Sequence, residues 1–251
     1  MKKKVPFIVA NWKLNGGTDL ICTSVASFLK KSFRAEIGLA PPYVYISDMV
    51  SFLRNSSIRV GSQNVSKFAS GAYTGETSAQ MLKEVGCSFC LIGHSERREV
   101  FLENDASCHT KVERALAAGI MPIVCVGENA QQYKLGLTRD ILYRQLHQAL
   151  AGIELGEQRL CIAYEPVWAI GTGKAASANQ VQEIHEYIHQ ELSSILGQAA
   201  AEQVHILYGG SVKKDNAAEL LAMPNIDGLL VGGASLDPQH FEQICAIANE
   251  V

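Results

Sequence analysis

The chain has 251 residues, 47% of them hydrophobic and 19% charged, so it can bury a large core and is near the length of one large α/β barrel. Its 22 basic and 25 acidic side chains leave a formal net charge of −3, which argues against nucleic-acid binding, a function that needs concentrated positive charge. No apolar run approaches the ~18 residues of a membrane span, and the odd count of seven cysteines reads as buried thiols in a reducing cytoplasm rather than as a disulfide framework.

From the N-terminus, Lys2, Lys3 and Lys4 resemble the start of an export signal. The apolar stretch behind them is short and interrupted by Pro6, Asn11 and Trp12, so a solvated basic terminus before a buried strand is expected. Strands are predicted at Pro6–Asn11, Ile37–Ala40, Arg59–Gln63, Phe89–Ile92, Ile123–Val126, Leu160–Tyr164, His205–Tyr208 and Gly228–Val231. Most are continuously apolar, as parallel strands buried on both faces are. Cys87, Cys90, Cys125 and Cys161 fall in or beside these runs, where cysteine acts as a small hydrophobe. Gly, Pro, Asn or Ser turn signals follow each run, and then helix-like stretches such as Asp105–Ala118, Thr138–Ala151 and Asn179–Leu196. Eight βα units with no linker between them predict one domain over residues 1–251, a closed (β/α)8 barrel of eight parallel strands ringed by helices. An open doubly wound sheet is the alternative, because strand count alone does not prove closure.

In a barrel, function belongs at the carboxyl ends of the strands, and the chemically capable residues cluster there. Asn11 and Lys13 follow the first strand. A lysine suits a phosphate or developing negative charge, and Asn11 offers a hydrogen bond beside it. His94 and Glu96 follow the fourth, with Ser95 expected to cap a helix. A histidine at a helix N-terminus is held neutral by the dipole and can donate to a carbonyl as it becomes an enolate. Glu165 follows the sixth strand. Pro166 stiffens the exit, Val167, Trp168, Ala169 and Ile170 form an apolar tip, and Gly171, Thr172, Gly173 and Lys174 complete what reads as a hinged lid that excludes water. Gly209-Gly210-Ser211 and Gly232-Gly233-Ala234-Ser235 follow the last two strands, where barrels commonly bind phosphate. One base, one neutral imidazole, one lysine and one phosphate grip make a set able to abstract a proton next to a carbonyl and stabilise the enediolate, with no metal or organic cofactor required.

Other motifs carry less. His185-Glu186-Tyr187-Ile188-His189 matches H-E-x-x-H, but on a helix whose apolar stripe is Val181, Ile184, Ile188, Leu192 and Ile195. Both histidines are expected at the stripe's edge, on a half-solvated flank rather than at a zinc site. Cys87-Ser88-Phe89-Cys90 enters a buried strand, so packing is expected. Gly171-Thr172-Gly173 lacks the third glycine of a dinucleotide loop.

Asn11-Trp12-Lys13-Leu14-Asn15-Gly16, Gly93-His94-Ser95-Glu96-Arg97-Arg98, Ala163-Tyr164-Glu165-Pro166-Val167-Trp168-Ala169-Ile170-Gly171-Thr172-Gly173 and Tyr208-Gly209-Gly210-Ser211-Val212 resemble the triosephosphate isomerase family, in order and over essentially the whole chain. The resemblance implies a TIM barrel that interconverts dihydroxyacetone phosphate and D-glyceraldehyde 3-phosphate without cofactor, for glycolysis and gluconeogenesis. It implies Glu165 as base and His94 as electrophile, with Asn11 and Lys13 lining the substrate and Gly171, Ser211, Gly232 and Gly233 holding its phosphate. Glu96 would be a buried partner of Lys13. A homodimer is implied too, with Leu14 at the contact and Tyr73, Thr74, Gly75 and Glu76 in a loop that inserts into the neighbouring subunit. Ala10, Leu14 and Val126 depart from the common family residues, and none touches a proposed catalytic group. A non-catalytic phosphate-binding barrel or a different phosphosugar barrel enzyme would share many of these features.

Overall fold

Eight short apolar runs become the strands β1 (Phe7–Asn11), β2 (Glu36–Ala40), β3 (Arg59–Ser62), β4 (Phe89–Ile92), β5 (Met121–Val126), β6 (Cys161–Tyr164), β7 (His205–Tyr208) and β8 (Gly228–Val231). All pair in parallel with their chain neighbours. β8 returns to β1 with Phe7 opposite Gly228, which closes the barrel and excludes the open sheet. The computed structural model describes residues 3–29, 31–169 and 176–250. Among these, eleven α-helices are assigned: α1 (Thr18–Leu29), α2 (Ile46–Leu53), α3 (Ala79–Glu84), α4 (Ser95–Val100), α5 (Asp105–Ala117), α6 (Ala130–Lys134), α7 (Thr138–Leu150), α8 (Ala178–Leu196), α9 (Gln198–Ala201), α10 (Lys214–Ala222) and α11 (Pro238–Ile247). None is long and apolar enough to cross a membrane.

Caps explain several helix starts. Asn104 accepts from the Ser107 amide at 2.9 Å before α5. Ser177 and Gln180 form a reciprocal capping box before α8, so that helix begins at Ala178, one residue earlier than expected. β5 starts two residues earlier than its apolar run suggests. Met121 donates to Ser88 O at 3.0 Å, and Pro122, near the strand's start, does not stop the pairing.

Continuous apolarity conceals a period of two. Phe7, Val9, Phe89, Leu91, Cys161, Ala163, Leu207 and Leu230 fill the barrel's interior. Their neighbours Ile8, Ala10, Cys90, Ile92, Ile162, Ile206, Leu229 and Val231 pack outward beneath the helices. Phe89 meets Phe7 edge-on at 5.9 Å. A methyl on Gly38 or Gly61 would fall 2.8 or 2.4 Å from its ring, so both glycines make room for it. The inward row, counted on by twos, runs from 7 and 9 to Asn11, from 161 and 163 to Glu165, from 207 to Gly209 and from 230 to Gly232. The barrel's own periodicity thus delivers these residues to the carboxyl-end mouth.

α8 corrects one expectation. His185 is fully buried rather than at the edge of a half-solvated flank. It pairs through Nδ1 with Asn225 O at 2.9 Å, and burial lowers its pKa to about 4. Gln182, on the same helix, accepts from the Asn225 amide at 3.0 Å. A connection packed over this flank excludes the water expected there.

Candidate active site

Asn11 ends β1, almost wholly buried, and its Oδ1 accepts from the Lys13 amide at 3.0 Å. Lys13 is held at φ +53°, a conformation that costs a non-glycine residue about 1 kcal/mol or more and tends to mark function. Gln63 Nε2 clamps this turn by donating to Lys13 O and Ala40 O, both at 2.9 Å. The Lys13 ammonium pairs with Glu96 Oε1 at 2.7 Å.

His94, rather than Ser95, caps α4. Its Nδ1 accepts from the Glu96 amide at 3.2 Å, and Ser95 is the helix's first residue. The difference has chemical content. A ring nitrogen that accepts a backbone N–H carries no proton, so the neutral imidazole bears its hydrogen on Nε2. Nε2 lies 3.0 Å from Glu165 Oε1, and Glu165 Oε2 accepts from the Ser95 amide at 3.1 Å. Burial raises the Glu165 pKa, but His94 and the Ser95 amide outweigh it and the net shift is downward. Burial lowers the His94 pKa, and the adjacent carboxylate reverses this while the two touch. The carboxylate is therefore ionised and almost completely shielded from solvent.

Glycines shape the rest. A methyl on Gly209 would sit 2.9 Å from Glu165 Cγ. Gly209, Gly210 and Ser211 from the β7 turn join Gly232 and Gly233 from the β8 turn, and with Asn11, Lys13, His94 and Glu165 they line one cavity of about 510 Å³. Gly232 and Gly233 stand at the start of the one-turn helix Gly233–Leu236, with amides near the cavity and the Lys13 ammonium beside them. One mouth of the barrel thus collects a buried carboxylate, an imidazole, a lysine and two glycine turns. The family model for triosephosphate isomerase matches residues 6–248.

The chain belongs to the triosephosphate isomerase family.

A triosephosphate isomerase of Nitrosococcus oceani is 45% identical over 251 residues, covering 98% of this chain and 100% of that protein. Those of Dehalococcoides mccartyi and Moorella thermoacetica are 46% and 45% identical, covering 95% of this chain and 94% and 97% of theirs.

Of the residues expected at a triosephosphate isomerase site, Asn11, Lys13, His94, Glu165, Ser211, Gly232 and Gly233 line the one cavity. Glu96 departs from expectation. It pairs with Lys13, but its side chain is 50% exposed rather than buried, because no other described residue covers this first turn of α4. Of the lid, Pro166, Val167, Trp168 and Ala169 are described; Ile170, Gly171, Thr172, Gly173 and Lys174 lie outside the described residues. Leu14 is 96% exposed, Tyr73 is exposed, and so are Thr74, Gly75 and Glu76.

Three groups of supporting residues went unseen in the sequence. Glu128 is fully buried and accepts from Tyr164 Oη (3.1 Å) and Trp168 Nε1 (2.8 Å), which fixes the lid's first turn. Glu103 accepts from Gly93 N (3.0 Å), Arg97 Nε (2.8 Å) and Lys111 Nζ (2.6 Å), while Arg98 Nε donates to Gly93 O (2.7 Å). Together they hold the turn at Gly93, φ +68°, from which His94 projects. Gln145 reaches from α7 to Gly127.

Proposed function

We propose that this enzyme interconverts dihydroxyacetone phosphate and D-glyceraldehyde 3-phosphate. The observation that carries the reading is the buried Glu165 carboxylate, 3.0 Å from His94 Nε2 at the edge of a cavity that also holds Lys13 and both glycine turns. Substrate phosphate sits against Ser211, Gly232 and Gly233, with Gly171 closing over it, where backbone amides and a helix N-terminus favour an anion. Asn11 and Lys13 line the substrate. Glu165 takes the proton from the carbon next to the carbonyl, and the electron pair moves onto the carbonyl oxygen. His94 Nε2–H and Lys13 stabilise the resulting enediolate; the hydroxyl proton on the neighbouring oxygen passes by way of His94 to the first oxygen, and Glu165 returns the carbon-derived proton to the adjacent carbon, leaving the carbonyl on the second oxygen. Substrate entering between Glu165 and His94 removes the contact that raises the histidine's pKa. Burial and the amide on Nδ1 then keep the ring neutral, and a neutral donor is better matched to an enediolate. Glu96 orients the Lys13 ammonium. Residues 166–169 begin the lid, with Trp168 anchored on Glu128.

The working form is a homodimer, with Leu14 and the loop carrying Tyr73, Thr74, Gly75 and Glu76 at the contact. What supports this is the exposure of several large apolar side chains, Leu14, Val44, Tyr73, Phe101 and Leu102, which a partner subunit would cover. All seven cysteines are free thiols and six are buried, in keeping with a cytoplasmic enzyme. The test of the activity is Glu165→Gln, assayed by coupling product to glycerol-phosphate dehydrogenase. Loss of a general base lowers kcat roughly 10²- to 10⁴-fold with the fold intact by circular dichroism, and near-normal turnover refutes the assignment.

A further inference from the structure

Past the ends of β5 and β6 the two chains stay bonded. Glu165 N donates to Val126 O at 2.7 Å, and Val167 N donates to Glu128 O at 3.1 Å. Residues 126 and 128 therefore face β6, and Gly127 between them must turn its own N–H and C=O the other way, towards β4. β4 is no longer there. The register that sets Ile92 opposite Val124 would bring residue 95 opposite Gly127, and Ser95 already belongs to α4. The Gln145 side chain fills the gap. Its Oε1 accepts from Gly127 N at 2.8 Å and its Nε2 donates to Gly127 O at 3.2 Å, so one carboxamide stands in for the missing strand. Gln145 is buried, and no other residue type of similar length offers a neutral acceptor and donor together.

Gly127 is in turn pressed against the base. A methyl on it would lie 1.8 Å from the Glu165 carbonyl oxygen, so the Gly127 backbone is the surface on which the Glu165 backbone rests. Gly127, Gln145, Glu165 and Val167 also line a second cavity of about 320 Å³, together with Arg98 and Arg144. Displacement of Gly127 therefore has space to occur and moves both the base and the first residues of the lid.

We infer that Gln145 is a positioning residue for the isomerisation, acting through Gly127 to fix the main chain of Glu165 and the start of the lid. The inference rests on Glu165 being the base. Its effect falls on turnover far more than on phosphate affinity, because Ser211, Gly232 and Gly233 in the turns of β7 and β8 hold most of the phosphate and lie elsewhere, with only Gly171 on the lid. A displacement of up to 1 Å in a reacting group lowers rate by up to about 10²-fold.

The experiment compares the unsubstituted enzyme with Gln145→Leu and Gln145→Glu by coupled assay, with competition by inorganic phosphate and with Tm. Expected are kcat lowered roughly 10- to 100-fold in Gln145→Leu, a smaller loss in Gln145→Glu, which keeps the acceptor for Gly127 N–H, and KM and the phosphate inhibition constant within about two-fold in both. A role confined to stability lowers Tm and leaves kcat at 25 °C unchanged, which overturns the inference, as does a rise in KM with unchanged kcat. If Gln145→Leu does not fold, the kcat of Gln145→Glu decides alone, and a value within two-fold of the unsubstituted enzyme overturns it. Absent turnover in the unsubstituted enzyme refutes the activity itself; active enzyme with unaltered variants refutes only Gln145.

Discussion

Gly209→Ala tests how tightly the base is held. Gly209 does not require a glycine backbone, since its φ is not among the positive ones, so alanine adds one methyl group and little strain. That methyl would lie 2.9 Å from Glu165 Cγ, 3.4 Å from Tyr164 O and 3.6 Å from Glu165 Oε1. Only the first contact is too close, and ordinary contact begins at 3.4 Å, so the carboxylate arm must yield by 3.4 − 2.9 = 0.5 Å. If 1 Å of misplacement is worth up to about 10² in rate, half of that is worth roughly ten-fold. In the coupled assay, kcat should fall about ten-fold while Tm stays within a few degrees, because a flexible side chain and not the backbone absorbs the shift. A kcat within two-fold of the unsubstituted enzyme would refute the reasoning that places Glu165 Cγ against this turn.

Stability should depend on pH through Glu103. Burial raises its pKa, but Lys111 and Arg97 outweigh burial and hold the carboxyl below its ordinary value. A depressed folded pKa means that the contribution is complete above the unfolded value of about 4.3 and is lost as pH falls through the folded one. Tm should therefore drop below about pH 4 in the unsubstituted protein and lose much of that slope in Glu103→Gln. At pH 7 that variant should be less stable by roughly 3–5 kcal/mol, since it leaves Lys111 without its charged partner; equal acid slopes in the two proteins would contradict this. Light scattering should give a mass near twice the chain's 27.2 kDa, falling towards one chain in Leu14→Glu. A single-chain mass for the unsubstituted protein at assay concentration would remove the dimer.

The strands were legible because parallel strands buried on both faces demand unbroken apolar runs, and such runs are rare outside strands. Their carboxyl ends pointed to Asn11, Lys13, His94 and Glu165 only when taken together with the family resemblance, and the structure brings the four to one cavity. What stayed hidden is contact between distant residues of ordinary type. Glu103 lies 10 residues from the Gly93 amide it accepts, and Gln145 lies 18 residues from Gly127. Neither carries a local signature, because a buried polar residue, on a loop like Glu103 or on a helix like Gln145, reads like a solvated one. His94 as cap was missed for the same reason: serine is the commoner cap, and only geometry reveals which side chain meets the Glu96 amide. Glu96 was expected to be buried from a resemblance, and among the described residues nothing covers it.

Lys13, His94, Glu165 and the turns at Ser211 and Gly232-Gly233 should surround one small phosphorylated substrate. The most direct measurement is a crystal structure with 2-phosphoglycolate bound. Its phosphate is expected against the amides of the two glycine turns and its carboxylate between Lys13 Nζ, His94 Nε2 and the Glu165 side chain. An inhibitor bound elsewhere, or bound here with its carboxylate directed away from His94 and Glu165, would contradict this arrangement.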